Sequence, residues 1–231
     1  MKDKIKINNK NKKEVYFMNE NHKKTKRNYL QRMTDHKVLS MIEAKKYSKN
    51  YWDGPRRFGY GGYKYIAGRW TKVANKIIKK FNLNNNSKIL DVGCGKAFLL
   101  FEIKKILPNI KIVGFDISKH AIKNAPKLIR SNLFIHNAKD KYPFTDKKFD
   151  LAISTGCFHN LNIFDLKKSL LEIRRVSKNS YIMVESYKNE RELFNLQCWA
   201  LTCESFFSKK EWLWIFKEYG YDRHFEFIYF T

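Results

Sequence analysis

The sequence predicts an α/β protein, an open and mostly parallel sheet of six or seven strands with helices on both faces. Three observations carry this expectation. From residue 88 onward, short apolar runs alternate with helix-period amphipathic segments, the pattern of consecutive βαβ units. The first apolar run ends in a glycine turn, Asp91-Val92-Gly93-Cys94-Gly95, and the second ends in an acid, Asp116. Of the 231 residues, 43% are hydrophobic and 16% aromatic, which suits a folded core and argues against disorder.

The elements follow in order. Residues 1 to about 26 are rich in Lys and Asn with few large apolar side chains, so a disordered or loosely attached segment is expected. Leu30, Met33, Val38, Met41 and Ile42 recur at helical spacing and predict one or two short helices. Residues 1–50 thus read as a basic N-terminal extension, partly disordered or helical. Residues 51–69 form a loop rich in Gly, Tyr and Arg, and 70–231 form the main domain. In "TKVANKIIKKFNL" (71–83) the apolar positions Val73, Ile77, Ile78 and Phe81 lie on one helical face, and "NNNSK" breaks the helix. Strands are then expected in "KILDVGCG", "KIVGFDIS", "LFIHNA", "FDLAISTGCF", "SYIMVESY" and "FEFIYF". Helices are expected in "AFLLFEIKKIL", "KHAIKNAPKLI" (interrupted at Pro126), "NIFDLKKSLLEIRRV" and "KKEWLWIFKEYG". The last of these opens with Ser208 and Glu211 in capping-box spacing.

Bulk properties narrow the function classes. No apolar run reaches the ~18–20 residues of a membrane helix, and the basic N-terminus lacks the apolar segment of a secretory signal. The four cysteines have no metal-type spacing and suit free thiols in a reducing cytoplasm. A cytoplasmic protein, monomer or homodimer, with no membrane partner and no metal, is the expectation. The 47 basic and 22 acidic residues leave a net charge of +25. The basic residues are mostly scattered Lys, a diffuse field that favours small anionic ligands over a focused nucleic-acid stripe.

In an open parallel sheet the ligand sits beyond the carboxyl ends of the strands. Gly93 and Gly95 would let it approach backbone N–H groups, and Asp116, 21 residues past Gly95, could accept both hydroxyls of a ribose. Position 98 is Phe, against a dinucleotide fingerprint, and there is no P-loop. The turn resembles motif I of class I S-adenosylmethionine-dependent methyltransferases, with Ala97 in place of the third Gly. The resemblance covers roughly 70–231 and includes Asp116, "NAKDKYPF" and "FDLAIS". It implies a Rossmann-like methyltransferase fold, S-adenosylmethionine as cofactor and S-adenosylhomocysteine as product. It also implies cofactor contacts from Asp91, Gly93, Gly95, Asp116, Ile117, Asn137, Ala138 and Ser154. Many members have Asp where this chain has Asn137.

The loop "YWDGPRRFGYGGYKYIAGRW" (51–70) holds five of the ten glycines of the chain. With His159-Asn160-Leu161 and Glu185-Ser186-Tyr187 it resembles a narrower group of methyltransferases, which implies bacterial surface-polysaccharide or other small-molecule modification. Physically the loop suits a lid over the sheet edge, with tyrosine walls and arginines for anions. Arg69 is assigned to the cofactor carboxylate. Arg56, Arg57, Tyr60, Tyr63, Tyr65, Asn160, Glu185 and Tyr187 are assigned to the acceptor. His159, just past the fourth strand, is the expected catalytic base; an acceptor oxygen that is already anionic would need none. Together these residues point to methylation of a small polar, anionic acceptor at O or N, with a sugar, phosphate or phosphoramidate group as the expected kind of acceptor. Two alternatives stand beside it: a tRNA or rRNA methyltransferase, drawn by the charge, and a non-catalytic S-adenosylmethionine-binding subunit.

Overall fold

The computed structural model describes residues 13–19, 22 and 25–231. Six strands form one sheet: β1 (Lys88–Val92), β2 (Lys111–Asp116), β3 (Leu133–Ile135), β4 (Phe149–Thr155), β5 (Ser177–Ser186) and β6 (His224–Tyr229). Their order is β3-β2-β1-β4-β5-β6, and every neighbouring pair is parallel. Parallel strands need crossovers, and the helix-period segments between them supply these.

Side-chain alternation along β1 explains the two cores. Ile89 faces one side, with Ala74 and Ile77 of α4 (Thr71–Lys80) and Leu100 and Ile103 of α5 (Phe98–Ile106). Leu90 and Val92 face the other, with Leu166 and Leu170 of α7 (Ile163–Val176) and Trp212 of α9 (Lys209–Glu218). Asp91 therefore falls on the Ile89 side, under the glycine turn. The remaining helices named among the described residues are α1 (Tyr29–Thr34), α2 (Lys37–Ala44), α3 (Lys49–Asp53), α6 (Lys119–Lys123) and α8 (Glu190–Trp199). Pro126 ends the helical run after α6, and a 3-10 segment, Lys127–Asn132, replaces the rest of the expected helix. The Ser208/Glu211 capping box is formed in full.

The N-terminal segment differs from expectation. Residues 1–12 lie outside the described part, but Val15, Phe17 and Met18 are buried in the core. Glu14 bridges Phe225, so the chain covers the outer edge of β6. The N–H groups of Phe17, Met18 and Asn19 donate to the Glu226 carboxylate at 2.8, 2.9 and 2.9 Å, and Tyr181 adds its hydroxyl at 2.7 Å. Composition understates this because three apolar side chains are diluted in a Lys/Asn-rich stretch and the hydrogen bonds come from backbone donors, which carry no residue signature. Glu226→Gln replaces an acceptor-only carboxylate with a group whose NH₂ opposes those donors. It is expected to destabilise the protein by about 2–3 kcal/mol, the range for hydrogen bonds to buried charge. Chemical denaturation checks it; an unchanged midpoint would mean that the hydrogen bonds to Glu226 contribute nothing to stability.

Candidate active site

The sheet order reverses between β1 and β4, which opens a crevice at their carboxyl ends. There the chain turns through Gly93 and Gly95, with φ of +73° and +56°. A Cβ on Gly93 would lie 2.6 Å from the Cys157 side chain, and one on Gly95 2.6 Å from the Trp52 ring. Both backbone conformation and space demand glycine. Gly95 N–H donates to Asp116 Oδ2 at 2.8 Å, and Ser118 N–H donates to Oδ1 at 2.8 Å. Asp116 is thereby locked to the turn, while each oxygen keeps a lone pair for a ligand hydroxyl. Burial still raises its pKa.

Asp91 is buried beneath the turn, and its Oδ1 has no hydrogen-bond partner. Burial, and next the Asp116 charge, push its pKa up to about 8. A buried carboxylate oxygen left unmet is costly until a donor or cation reaches it.

A cover lies over the crevice. Trp52 of α3 is buried and donates its indole N–H to Ser118 Oγ at 2.8 Å. Tyr60 stacks on it with ring centroids 5.3 Å apart, and Tyr63 packs on Phe98 at 5.0 Å. Lys96, next to the glycine turn, reaches both oxygens of Asp53 at 2.7 and 2.8 Å and the Tyr63 carbonyl at 2.7 Å. His120 Nε2 meets the same carboxylate at 2.7 Å. The cover is wider than residues 51–69, since Tyr47, just after α2, also lines the space beneath. The sequence reading passed over Trp52, Asp53 and Lys96. Trp52 and Asp53 stand inside the quoted loop and Lys96 directly follows the glycine turn, but the pairing of Lys96 with Asp53 across 43 positions is tertiary.

Two cavities flank Trp52 and Tyr60. The first, of about 420 Å³, is lined by Asp116, Ile117, Asn137 and Ala138, as expected for one part of a nucleoside-bearing ligand. Asn137 Oδ1 accepts from the Lys139 N–H at 3.2 Å. The second, of about 340 Å³, brings Asp91 and Gly95 together with Arg56, Arg69, His159 and Glu185. Tyr60 and Asn160 line both cavities, and Tyr63 the second. The Asn160 amide is held at both ends, by the Gly156 carbonyl at 3.0 Å and by Thr202 Oγ1 at 2.8 Å.

Four expected site residues are placed elsewhere. Ser154 is buried and donates to the Val92 carbonyl at 3.0 Å, bracing β4 to β1. Arg57 pairs with Asp35 at 3.0 Å, on the outer side of the cover. Tyr65 donates to Glu102 on α5 and packs edge-on to Phe101, anchoring the end of the loop. Tyr187 turns to Glu211 of α9 at 3.4 Å.

His159 lines the second cavity, and its hydrogen bonds set which of its ring nitrogens faces it. The Glu185 backbone N–H donates to His159 Nδ1 at 3.2 Å, so the lone pair of the neutral ring is already used and the ring proton sits on Nε2. Nε2 lies 3.5 Å from Glu185 Oε2. Burial lowers the His159 pKa and the Glu185 charge raises it, with burial dominant, which disfavours the charged ring. Beside His159, the carboxylate facing the cavity is that of Glu185. Among the described residues no group of three or more His, Cys, Asp or Glu is placed to hold a metal ion. No helix among them is long and apolar enough to cross a membrane.

A parallel sheet with a glycine turn, an acid after β2 and a covered crevice defines a class I S-adenosylmethionine-dependent methyltransferase domain. The chain belongs to the methyltransferase-domain family, whose match spans residues 83–220. It is similar to a demethylmenaquinone methyltransferase of Thermotoga maritima, 30% identical over 111 residues, covering 48% of each chain. It is also similar to the mitochondrial arginine-hydroxylase NDUFAF5 of Rattus norvegicus, 30% identical over 109 residues, which covers 47% of this chain and 31% of that protein. The chain thus spans about half or less of the length of these relatives. Among solved structures, a methyltransferase of Haloferax volcanii in complex with the activator Trm112 has the same fold. The TM-score is 0.52 at 21% identity, covering 64% of this chain and 66% of that one.

S-adenosylmethionine is the cofactor of this class, and the crevice fits it. The glycine turn leaves room for backbone approach, Asp116 offers acceptors for hydroxyls, and the orphaned Asp91 oxygen calls for a cationic group such as an amino acid ammonium.

Proposed function

We propose that the protein transfers a methyl group from S-adenosylmethionine to a small polar acceptor carrying negative charge, at oxygen or nitrogen. The observation that carries the reading is the second cavity. It joins the glycine turn and Asp91 to Glu185 and to the basic side chains Arg56 and Arg69 beneath an aromatic cover. The cofactor, when bound, supplies an electrophilic methyl group on a sulfonium sulfur. The side chains Asp91 and Asp116 hold it, and Trp52, Tyr60 and Tyr63 exclude water from the transfer. A neutral acceptor must lose a proton as it attacks, and Glu185 accepts it. His159 then acts as a positioning residue, its Nε2–H facing the carboxylate and its Nδ1 pinned by the backbone. The likeness to a group acting in bacterial surface-polysaccharide modification adds the proposal of an acceptor from that chemistry, used in the cytoplasm. The quinone methylated by the Thermotoga maritima relative has no anion to place beside arginines, which speaks for a different acceptor.

Calorimetry on the whole chain with S-adenosylhomocysteine tests the cofactor half. Asp116→Ala is expected to weaken binding by about 1.5–3 kcal/mol. Unchanged affinity would remove Asp116 from the site. Labelled cofactor offered to a small-molecule extract and to total RNA tests the acceptor half. Label is expected in the small molecules; label confined to one RNA position would favour the RNA-methyltransferase reading instead.

A further inference from the structure

The second cavity extends past Glu185 to a wall of which the roles above use only Arg56. Arg27, Arg32 and Arg56 surround one indole there, with guanidinium carbons 5.3, 5.2 and 5.0 Å from the Trp199 ring centre. All four side chains line the cavity. They arrive from three separate parts of the chain: the segment before α1 and α1 itself, the cover loop, and the last residue of α8. Their donors meet mainly backbone carbonyls. Arg27 reaches His22 and Thr25, Arg32 reaches Trp199 and Arg56, and Arg56 reaches Gly59. Arg27 Nε is buried with no partner. Among the described residues none of the three lies in an ion pair. Asp35, whose charge Arg32 feels, is taken by Arg57 at 3.0 Å.

Three guanidinium groups gathered without a paired carboxylate repel one another. Burial first, and Arg56 after it, lowers the pKa of Arg32; burial first also lowers that of Arg27, where Tyr29 and the Glu185 charge pull the other way and Arg56 adds to the lowering. Such a cluster is stabilised by an anion that offers several oxygens at once. A lone carboxylate is satisfied by one guanidinium fork, whereas a phosphoryl group presents three oxygens and up to two charges. The Trp199 ring lies within cation–π range of all three guanidinium groups and adds its own attraction.

We propose that Arg27, Arg32 and Arg56 form a phosphoryl-binding subsite of the acceptor cavity, so that the methyl acceptor is a phosphorylated small molecule. This rests on the methyltransferase reading above. The phosphoryl group sits against Trp199 while another part of the same molecule reaches Glu185. The subsite makes the phosphoryl group an anchor and so sets acceptor specificity.

The test uses inorganic phosphate as the probe on the whole protein saturated with S-adenosylhomocysteine. Isothermal titration at constant ionic strength is expected to show saturable, one-to-one phosphate binding. Arg27→Gln and Arg32→Gln should each weaken it at least tenfold, with S-adenosylhomocysteine affinity unchanged. Arg32→Lys, which keeps the charge but loses the fork, should fall between. Arg57→Gln, on the outer side of the cover, should bind phosphate like the wild type. Phosphate, and not chloride at equal ionic strength, should also raise the melting temperature of the unaltered protein, a readout that needs no variant. Equal phosphate binding in all variants, or none in the wild type with the product bound, would overturn the subsite while leaving the methyltransferase reading intact. Failure of S-adenosylhomocysteine itself to bind would overturn that underlying reading. RNA that competes with phosphate and loses affinity in the same variants would assign the cluster to a nucleic-acid backbone and overturn the small-molecule acceptor.

Discussion

Glu185→Gln should lower turnover by two to three orders of magnitude with little change in cofactor affinity. Gln has nearly the same shape and can still accept from His159 Nε2–H, but it cannot take a proton. General-base catalysis contributes roughly 10²–10⁴-fold, or ~3–5 kcal/mol of barrier. The loss should appear in kcat, because the carboxylate is needed when the acceptor attacks. His159→Leu removes the Nε2–H that faces Glu185 and should depress kcat less. His159→Gln, which restores an N–H in that region, should recover part of it. A purely structural histidine would give the same result in both variants. If Glu185→Gln costs less than tenfold, the acceptor attacks as a ready-made anion and Glu185 is not its base.

Asp91→Asn is expected to weaken S-adenosylhomocysteine binding by about a hundredfold, ~2.5–3 kcal/mol, near the cost of removing one member of a buried charge pair. The pH dependence carries more information. In the free protein burial pushes the Asp91 pKa up to about 8, so below that pH the group holds a proton. A cationic ligand group favours the carboxylate, so binding releases the proton. Affinity should therefore rise by up to tenfold per pH unit as pH approaches 8, then level off. Asp91→Asn should abolish that slope.

Stability of the free protein should move the opposite way. The folded pKa lies above the unfolded value of about 3.9. The stability contributed by protonated Asp91 is thus complete below pH ~4 and declines as pH rises toward 8. Without ligand, Asp91→Asn should melt above the wild type at pH 8, by at least roughly 2 °C, the shift that 1 kcal/mol makes in a domain of this size. Scanning calorimetry at pH 6 and 8 checks the sign. A variant less stable than the wild type at both would mean that Asp91 is already satisfied in the free protein.

Glu185, Arg56 and Tyr60, which line the second cavity, are legible as candidates because each lies at a strand end or in a loop of distinctive composition. Arg57 and Tyr65 stand in the same loop and read the same way, yet they face Asp35 and Glu102. Composition marks a loop as a cover without saying which of its side chains turn inward. Arg27, Arg32 and Trp199 went unnoticed because they come from distant segments, and Trp199 reads as one more helix aromatic.

The sequence by itself determined the sheet, the glycine turn and the acid after β2, because these rest on local rules. Period-2 and helix-period apolar patterns, a positive φ that only glycine adopts freely, and a fixed 21-residue spacing are all written along the chain. Only the tertiary structure decided which nitrogen of His159 is free, that Glu185 faces the cavity beside it, that Trp52 presses on Gly95 and that Glu226 gathers the N-terminal segment. Each of these depends on an angle or a distance between atoms far apart in the chain. Hydrogen bonding and burial fall off within a few ångströms, so no pattern of residue types records them.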